Sequence, residues 1–252
     1  MSDLVLRENH TSAVHLILNR PDKLNSLNVP VFEALETHVA SLAADRGGAS
    51  VVVLRGAGRC FSAGHDLGDI AAGERLPRPN YQAKVIEALA TLPMPVITAV
   101  HGHCYTGALE LALAGDIILA AESAKFADTH ARWALTPVWG LSQRLPRRIG
   151  GAKAREMMFT CRTYSGAQAQ AMHLANFCFA DDGFDAELAA LAEDILANSW
   201  YANQVNKRAL MASHGLTLHD AHALELFKNE GLAPDAEQRV AKFFDTHKKQ
   251  ST

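Results

Sequence analysis

Residues 99–113 read AVHGHCYTGALELAL, and the architecture of the chain follows from the elements that this stretch predicts. The apolar residues up to Val100 predict a strand, a polar loop follows it, and Gly107 opens an apolar helix. The first backbone N–H groups of a helix have no partner within it and lie at the positive end of its dipole. We therefore expect the start of this helix to stabilise a developing negative charge.

Glu110 lies in the first turn of that helix, among Leu109, Leu111 and Leu113. A carboxyl group in apolar surroundings has a raised pKa, as a general acid or base requires. The alternative is a capping-box glutamate that reaches back to Thr106 or Gly107, although its spacing from Thr106 is one residue too long.

Residues 59–67, RCFSAGHDL, follow a predicted strand and contain three small residues in a row, Ser62, Ala63 and Gly64. Small residues let a backbone turn approach a ligand and present N–H groups to it. The alternative is a tight turn stabilised by Asp66. A dinucleotide fingerprint starting at Gly56 is not supported, because its third glycine is absent.

Two further stretches are candidates for binding or chemistry. Residues 126–140, FADTHARWALTPVWG, carry Asp128, His130 and Arg132, which either react or form a hydrogen-bonded loop. Residues 19–27, NRPDKLNSL, have the composition of a turn that could cradle a polar ligand.

The order of predicted elements indicates an α/β protein with a mainly parallel sheet. Strands are predicted at Val14–Leu18, Val51–Leu54, Val96–Val100 and Ile117–Ala120, and helices at Val31–Ala44 and Gln82–Leu92. From Gly151 onward we expect helices alone: Ala152–Phe159, Ala167–His173, Glu187–Ala197, Ala202–Ala212, Leu218–Phe227 and Ala236–Phe244. We divide the chain into an α/β core, residues 1–197, and a helical C-terminal segment, residues 198–252, that packs on a neighbour or a subunit.

Composition excludes several other classes of protein. The chain has 252 residues, a net charge of −3 and no concentrated basic stripe, so we expect no nucleic-acid partner. No secretory signal and no membrane-spanning run is predicted. Four irregularly spaced cysteines indicate reduced thiols and a cytoplasmic protein.

Two kinds of catalytic site are poorly matched by the sequence. The histidine groups at residues 101–104 and 214–222 lack the spacing of a zinc site, so we expect no metal. A Ser–His–Asp hydrolase is not supported either, because no Gly-x-Ser-x-Gly elbow occurs.

Taken in order, these stretches resemble the enoyl-CoA hydratase/isomerase superfamily, also called the crotonase family. The resemblance runs through NRP and NSL in residues 19–27, FSAGHDL at 61–67, PVITAVHG at 95–102, GALELA at 107–112, Asp116, Phe126 and residues 148–152, RIGGA. It covers nearly the whole chain, and it implies a crotonase-like spiral of ββα units with a helical C-terminal trimerisation segment.

The resemblance also implies a substrate and its binding residues. The substrate is an acyl-CoA thioester, so coenzyme A is part of the substrate and no separate cofactor is expected. The thioester oxygen lies between the backbone N–H groups of His65 and Gly107. The pantetheine and adenine portions are held by the turn Lys23, Leu24 and Ser26 and by the loop Ala63, Gly64, His65, Asp66 and Leu67. The assembly is a homotrimer or a dimer of trimers, and Trp133, Trp139 and Phe159 either line an acyl tunnel or belong to the core.

One departure from the family pattern bears on the reaction. The hydratases carry two glutamates; the first matches Glu110, and His130 stands where the second is expected. Histidine can perform acid–base chemistry near neutral pH. We therefore expect a hydratase that converts 2-enoyl-CoA to 3-hydroxyacyl-CoA with Glu110 and His130 (or Asp128 in its place) as acid–base groups. Two alternatives are another reaction of the family, such as decarboxylation or isomerisation, and an acyl-CoA-binding protein without turnover.

Overall fold

The computed structural model describes residues 3–45, 48–228 and 230–250. Its strands are β1 Val5–His10, β2 Ala13–Leu18, β3 Val51–Gly56, β4 Val96–Val100, β5 His103–Tyr105, β6 Ile117–Ala121, β7 Lys125–Ala127, β8 Tyr164–Ser165 and β9 Phe177–Phe179. Its helices are α1 Val29–Ala43, α2 Leu67–Ala71, α3 Tyr81–Ala90, α4 Gly107–Ala112, α5 Leu141–Ile149, α6 Gly151–Thr160, α7 Gly166–Ala171, α8 Phe184–Leu196, α9 Trp200–Ala212, α10 Leu218–Phe227 and α11 Ala236–Gln250.

Two sheets organise the core. The larger has the order β1-β2-β3-β4-β6-β9, in which only the β1–β2 pair is antiparallel, and the smaller has the order β5-β7-β8. Strand β4 is followed by β5 and then α4, and β6 is followed by β7 and later by α5. In each of these two ββα units, β4-β5-α4 and β6-β7-α5, the first strand joins the large sheet and the second strand joins the small sheet. The predicted α/β class with ββα units is therefore confirmed.

Gly102 makes the chain change sheets between β4 and β5. Its φ is +55°, and a Cβ there would lie 2.4 Å from the backbone oxygen of Arg59. Only glycine fits such a close approach. The turn sends β5 beside the loop after β3, where Ser62 N donates to His103 O at 2.8 Å, and so brings residues 59–67 next to the start of α4.

The four strands predicted in the first half are confirmed to within two residues at each end. Helix α1 is present but begins two residues before the predicted Val31, where the Asn28 side chain accepts a hydrogen bond from Val31 N and Pro30 lies in the first turn. The expectation of helices alone after Gly151 is wrong, since β8 and β9 follow. Both strands have three residues or fewer, too few to produce a recognisable alternation of apolar and polar residues.

The helices after residue 198 attach to the core through Lys207. Its Nζ donates to Met94 O at 3.0 Å and to Asp116 Oδ2 at 2.7 Å. Further along, α10 lies fully within the described residues and buries none of its side chains. The boundary at residue 198 stays a prediction.

No helix in the described part of the chain combines the length and the apolar character that crossing a bilayer requires.

Candidate active site

A cavity of about 390 Å³ lies at the start of α4. Six of the residues predicted from the sequence line it: Ala63, His65, Leu67, Gly107, Glu110 and His130. The fold thus brings together groups from three separate stretches of sequence.

The backbone N–H groups of His65 and Gly107 both lack a hydrogen-bond acceptor among the described residues. Leu27 pairs with the backbone on either side of His65, through Leu27 N to Gly64 O and Asp66 N to Leu27 O, each at 2.8 Å. In a parallel bridge of this kind the middle residue directs its N–H away from the partner strand. Gly107 is the first residue of α4, where the N–H has no partner within the helix.

The two amides are neighbours because two glycines allow the backbones to touch. A Cβ on Gly64 would lie 2.4 Å from Tyr105 O, and Gly64 has a φ of +101° that other residues rarely adopt. A Cβ on Gly107 would lie 3.3 Å from His65 N and 2.5 Å from the Trp139 ring. Side chains at either position would push the two amides apart.

Thr106 turns the chain into α4 from a left-handed conformation, with a φ of 54°. Such a backbone is unfavourable for a β-branched residue and persists only where neighbours hold it. Thr106 N donates to Ala127 O at 2.8 Å, and Thr106 Oγ1 accepts from Thr129 N at 3.1 Å. Strand β7 and the loop after it therefore fix the direction of the Gly107 N–H.

Glu110 is buried, with 1% of its surface exposed, and its carboxyl group accepts two hydrogen bonds from backbone N–H groups at the start of α5 and just before it. Its Oε1 accepts hydrogen bonds from Trp139 N at 2.9 Å and Leu141 N at 3.1 Å. The capping-box alternative is therefore wrong. Burial raises the pKa of Glu110 above its usual range, although these two N–H donors and His130 oppose the shift.

His130 lies between two carboxyl groups. Its Nδ1 is 2.6 Å from Asp128 Oδ1, which also accepts from the His130 backbone N–H at 3.1 Å, and its Nε2 is 3.7 Å from Glu110 Oε2. Because a carboxylate only accepts, we assign the Nδ1 proton to the bond with Asp128. His130 Nε2 is then the ring atom that lies beside Glu110.

The His65 side chain makes contacts that the sequence did not indicate. Its Nε2 lies 2.8 Å from Glu74 Oε2, which also accepts from the Gln82 side chain at 3.1 Å, and its ring centroid is 4.7 Å from that of Trp139. The imidazole is thus anchored to Glu74, while the backbone nitrogen of His65 lies beside Gly107.

The two stretches predicted to hold coenzyme A are in contact. Ala63 N donates to Leu24 O at 2.9 Å, and Ser26 Oγ donates to Asp66 Oδ2 at 2.9 Å. The Ser26 and Asp66 side chains therefore bind each other, and Asp66 also pairs with Arg20 at 3.2 Å. The remaining five predicted binding residues do not line the cavity: Lys23, Leu24, Ser26, Gly64 and Asp66.

The three aromatic residues considered for an acyl tunnel behave differently. Trp139 and Trp133 both line the cavity, with 4% and 54% of their surface exposed. Phe159 is 76% exposed and lies outside the cavity, so neither the tunnel nor the core interpretation holds for it. In an amphipathic helix the inward-facing positions recur every three or four residues. Phe159 lies on the outward face of α6.

Among the described residues, no cluster of three or more His, Cys, Asp or Glu side chains has a geometry that could hold a metal ion. His101, one of the histidines considered for such a site, instead bonds Gly58 O at 2.9 Å.

Comparison with known proteins agrees with this geometry. The model of the enoyl-CoA hydratase/isomerase family matches residues 8–249. The chain belongs to this family.

Relatives of this enoyl-CoA hydratase/isomerase family member carry names for two reactions. The chain is 33% identical to a probable enoyl-CoA hydratase 1, peroxisomal, of Arabidopsis thaliana, over 86% of this chain and 81% of the relative. It is 31% identical to a Delta(3,5)-Delta(2,4)-dienoyl-CoA isomerase, peroxisomal, of the same plant, over 85% and 83% of the two chains. A crystal structure of an enoyl-CoA hydratase from Bacillus anthracis superposes with a TM-score of 0.90 at 30% identity, over 96% of each chain. The predicted crotonase-family enzyme is thus confirmed.

We predict that Glu110→Gln raises thermal stability at pH 8 more than at pH 5. The folded chain ionises Glu110 at a higher pH than the unfolded chain, since burial raises its pKa. Between those two pKa values the folded state binds more protons, so the contribution of Glu110 to stability falls as pH rises. Glutamine keeps an oxygen for Trp139 N and Leu141 N and does not ionise.

The measurement is the difference in Tm between the variant and the wild type from pH 5 to pH 8. Glu193→Gln, at an exposed position of α8, is the control and should give a difference that does not change with pH. A Tm difference for Glu110→Gln that shrinks as pH rises would contradict the assigned shift.

Proposed function

We propose that the protein hydrates 2-enoyl-CoA to 3-hydroxyacyl-CoA. The observation that carries the proposal is the buried pair of Glu110 Oε2 and His130 Nε2, 3.7 Å apart in the cavity that the His65 and Gly107 backbones also line. One water oxygen can lie within hydrogen-bond distance of both atoms. The relatives named as enoyl-CoA hydratases support the same reaction.

The amides of His65 and Gly107 bind the thioester oxygen in the proposed reaction. Their hydrogen bonds draw electrons from the conjugated double bond, so its β-carbon becomes electrophilic and the enolate oxygen formed on attack is stabilised. Removing one such donor typically costs about 3 kcal/mol of transition-state stabilisation.

Glu110 and His130 carry the protons. Glu110 takes a proton from water as the water oxygen bonds to the β-carbon, and protonated His130 Nε2 gives a proton to the α-carbon as the enolate collapses. The atoms of one water are then added across the double bond. Transfer of the proton from Glu110 to His130 across the short gap restores the starting state.

Asp128 acts through His130 as a positioning residue. Its Oδ1 binds both the ring Nδ1 and the backbone N–H of His130, which fixes the ring orientation. It also stabilises the imidazolium form and keeps the exchangeable proton on the side of Glu110.

We propose that the turn at Lys23, Leu24 and Ser26 and the loop Ala63–Leu67 hold the pantetheine and adenine portions of coenzyme A. The contact of Leu24 O with Ala63 N supports this, because Ala63 lines the cavity and Lys23 is exposed beside it. The reaction uses no separate cofactor, since coenzyme A arrives with the substrate.

The proposal extends to the compartment of the protein. All four cysteines are free thiols, and Cys60, Cys104 and Cys161 are buried. Free thiols are typical of a reducing compartment, and we propose the cytoplasm.

We predict that the full-length protein hydrates crotonyl-CoA, followed as loss of the enoyl absorbance. Glu110→Gln and His130→Ala should each lower kcat by roughly 10²–10⁴-fold, the usual contribution of a general acid–base group. His130→Glu places a carboxyl group at the second acid–base position and should retain more activity than His130→Ala. Glu193→Gln serves as the control and should match the wild type.

Each other outcome excludes a specific part of the proposal. Turnover that survives Glu110→Gln removes its assigned role. Conversion of a 3-enoyl-CoA without hydration of crotonyl-CoA indicates an isomerase. Thermal stabilisation by acyl-CoA with no turnover of either substrate indicates a binding protein, and either of these last two results contradicts hydration.

Asp128→Asn tests the positioning role. We expect kcat to fall by roughly 10²-fold with little change in KM. An amide group can donate to Nδ1, which then carries no proton, so the imidazolium form that gives up the Nε2 proton is lost. The pH profile of kcat should shift as well, which a purely structural defect does not produce. Asp194→Asn, at an exposed position of α8, is the control, and an unchanged pH profile for Asp128→Asn would rule the role out.

We propose a homotrimer or a dimer of trimers assembled through the C-terminal helices. Large apolar side chains there are exposed, among them Leu218 at 88%, Leu226 at 65% and Phe227 at 89%. Exposed apolar patches of this kind mark interfaces between proteins.

Sedimentation equilibrium should therefore give three or six times the subunit mass of 27.2 kDa. Leu218→Asp combined with Phe227→Asp should shift the protein toward smaller species. A wild-type protein that sediments only as a single subunit would disprove this assembly.

A further inference from the structure

Trp139 and Val138 separate two cavities. Both residues line the cavity that holds Glu110 and His130, and both also line a second cavity of about 910 Å³. The second cavity lies between α3, α5 and α9. Its lining is apolar at Ala83, Ala90, Leu113 and Met211 and charged at Lys84, Glu87, Asp116, Arg144, Arg147 and Arg148. These two residues therefore form the partition between the reacting groups and a larger space.

The indole of Trp139 is held firmly in this partition. Its ring meets Phe32 edge-on with 5.0 Å between centroids, and the His65 ring lies 4.7 Å away on another side. A Cβ on Gly107 would lie only 2.5 Å from the indole, so the ring also rests against the start of α4. Close packing on several sides leaves the ring no room to swing aside.

The Trp139 indole lies close to the groups that would react with the acyl chain of the substrate. Trp139 N is bonded to Glu110, and the ring touches Gly107, so the side chain stands beside the atoms that would react. Much of the remaining lining is apolar, from Leu67, Ile70, Leu135 and Val138, as an acyl chain requires. Carbon atoms beyond the β-carbon would thus meet the Trp139 ring.

We propose that Trp139 sets the acyl chain length and makes this a site for short-chain acyl-CoA. The proposal rests on the proposed function, since it takes an acyl-CoA thioester as the ligand. A longer acyl chain would have to extend from the catalytic cavity into the second cavity, and the Trp139 indole blocks that path.

The Trp139 side chain can be shortened without removing the hydrogen bonds of the Trp139 backbone. The bond to Glu110 is made by the backbone N–H, and the backbone oxygen accepts from Arg144 at 3.0 Å. Substitution of the side chain therefore leaves the anchor of Glu110 in place and opens the partition.

The experiment measures the binding of butyryl-CoA and decanoyl-CoA by calorimetry, which does not depend on turnover. Extra methylene groups normally strengthen binding to an apolar site. We expect the wild type to reverse this trend and bind butyryl-CoA more tightly. Trp139→Ala and Trp139→Leu should shift the affinity ratio toward decanoyl-CoA by at least about tenfold, the smallest discrimination expected from changes in a hydrophobic pocket.

Trp200→Ala is the matched control. Trp200, the first residue of α9, lines neither cavity, so its removal should leave the ratio of the two affinities unchanged. Circular dichroism and Tm report whether each variant is folded, and Trp139→Leu keeps apolar bulk in case Trp139→Ala does not fold.

The results distinguish this inference from the proposed function. Tighter binding of decanoyl-CoA by the wild type, or an unchanged ratio in a folded Trp139 variant, overturns the role of Trp139 and leaves hydration untouched. A shifted ratio without turnover of crotonyl-CoA supports the role of Trp139 and contradicts hydration. A wild type that binds neither thioester overturns both.

Discussion

The close approach of two backbone segments is the constraint on which the rest of the site depends. Gly64 and Gly107 let the loop after β3 touch the start of α4, and both His65 N and Gly107 N are left without acceptors among the described residues. Unpaired donors of this kind are costly unless water or a ligand binds them. The sheet exchange at Gly102 and the positive φ of Thr106 both serve to keep these two amides together.

The proposed acid–base groups are held by a different part of the chain. Trp139 N, in the loop before α5, and Leu141 N, at the first residue of α5, bind one oxygen of Glu110 and leave the other oxygen beside His130. Asp128 then fixes His130 from the opposite side. In the proposed reaction, one glutamate and a histidine–aspartate pair stand in for the two glutamates that the family resemblance implies.

The sequence was sufficient to predict the parallel sheet and the residues around the cavity, because strand alternation and the small residues of FSAGHDL and TGALEL are local signals. Contacts between distant segments could not be predicted in this way. Nothing local indicates that Trp139 N would hold Glu110, that Glu74 would pair with His65, or that β9 would add to β6. Phe159 shows the same limit, since a single aromatic residue near the end of a helix does not reveal which face is covered.

The vibrational frequency of the bound thioester carbonyl tests the central claim most directly. Difference infrared spectra of full-length protein with a ¹³C-carbonyl acyl-CoA isolate this band. Two amide donors weaken the carbonyl bond, so we predict a lower frequency for the bound thioester than for the free one in water. A bound carbonyl at or above its frequency in water would contradict the account, because the His65 and Gly107 amides would then not hold that oxygen.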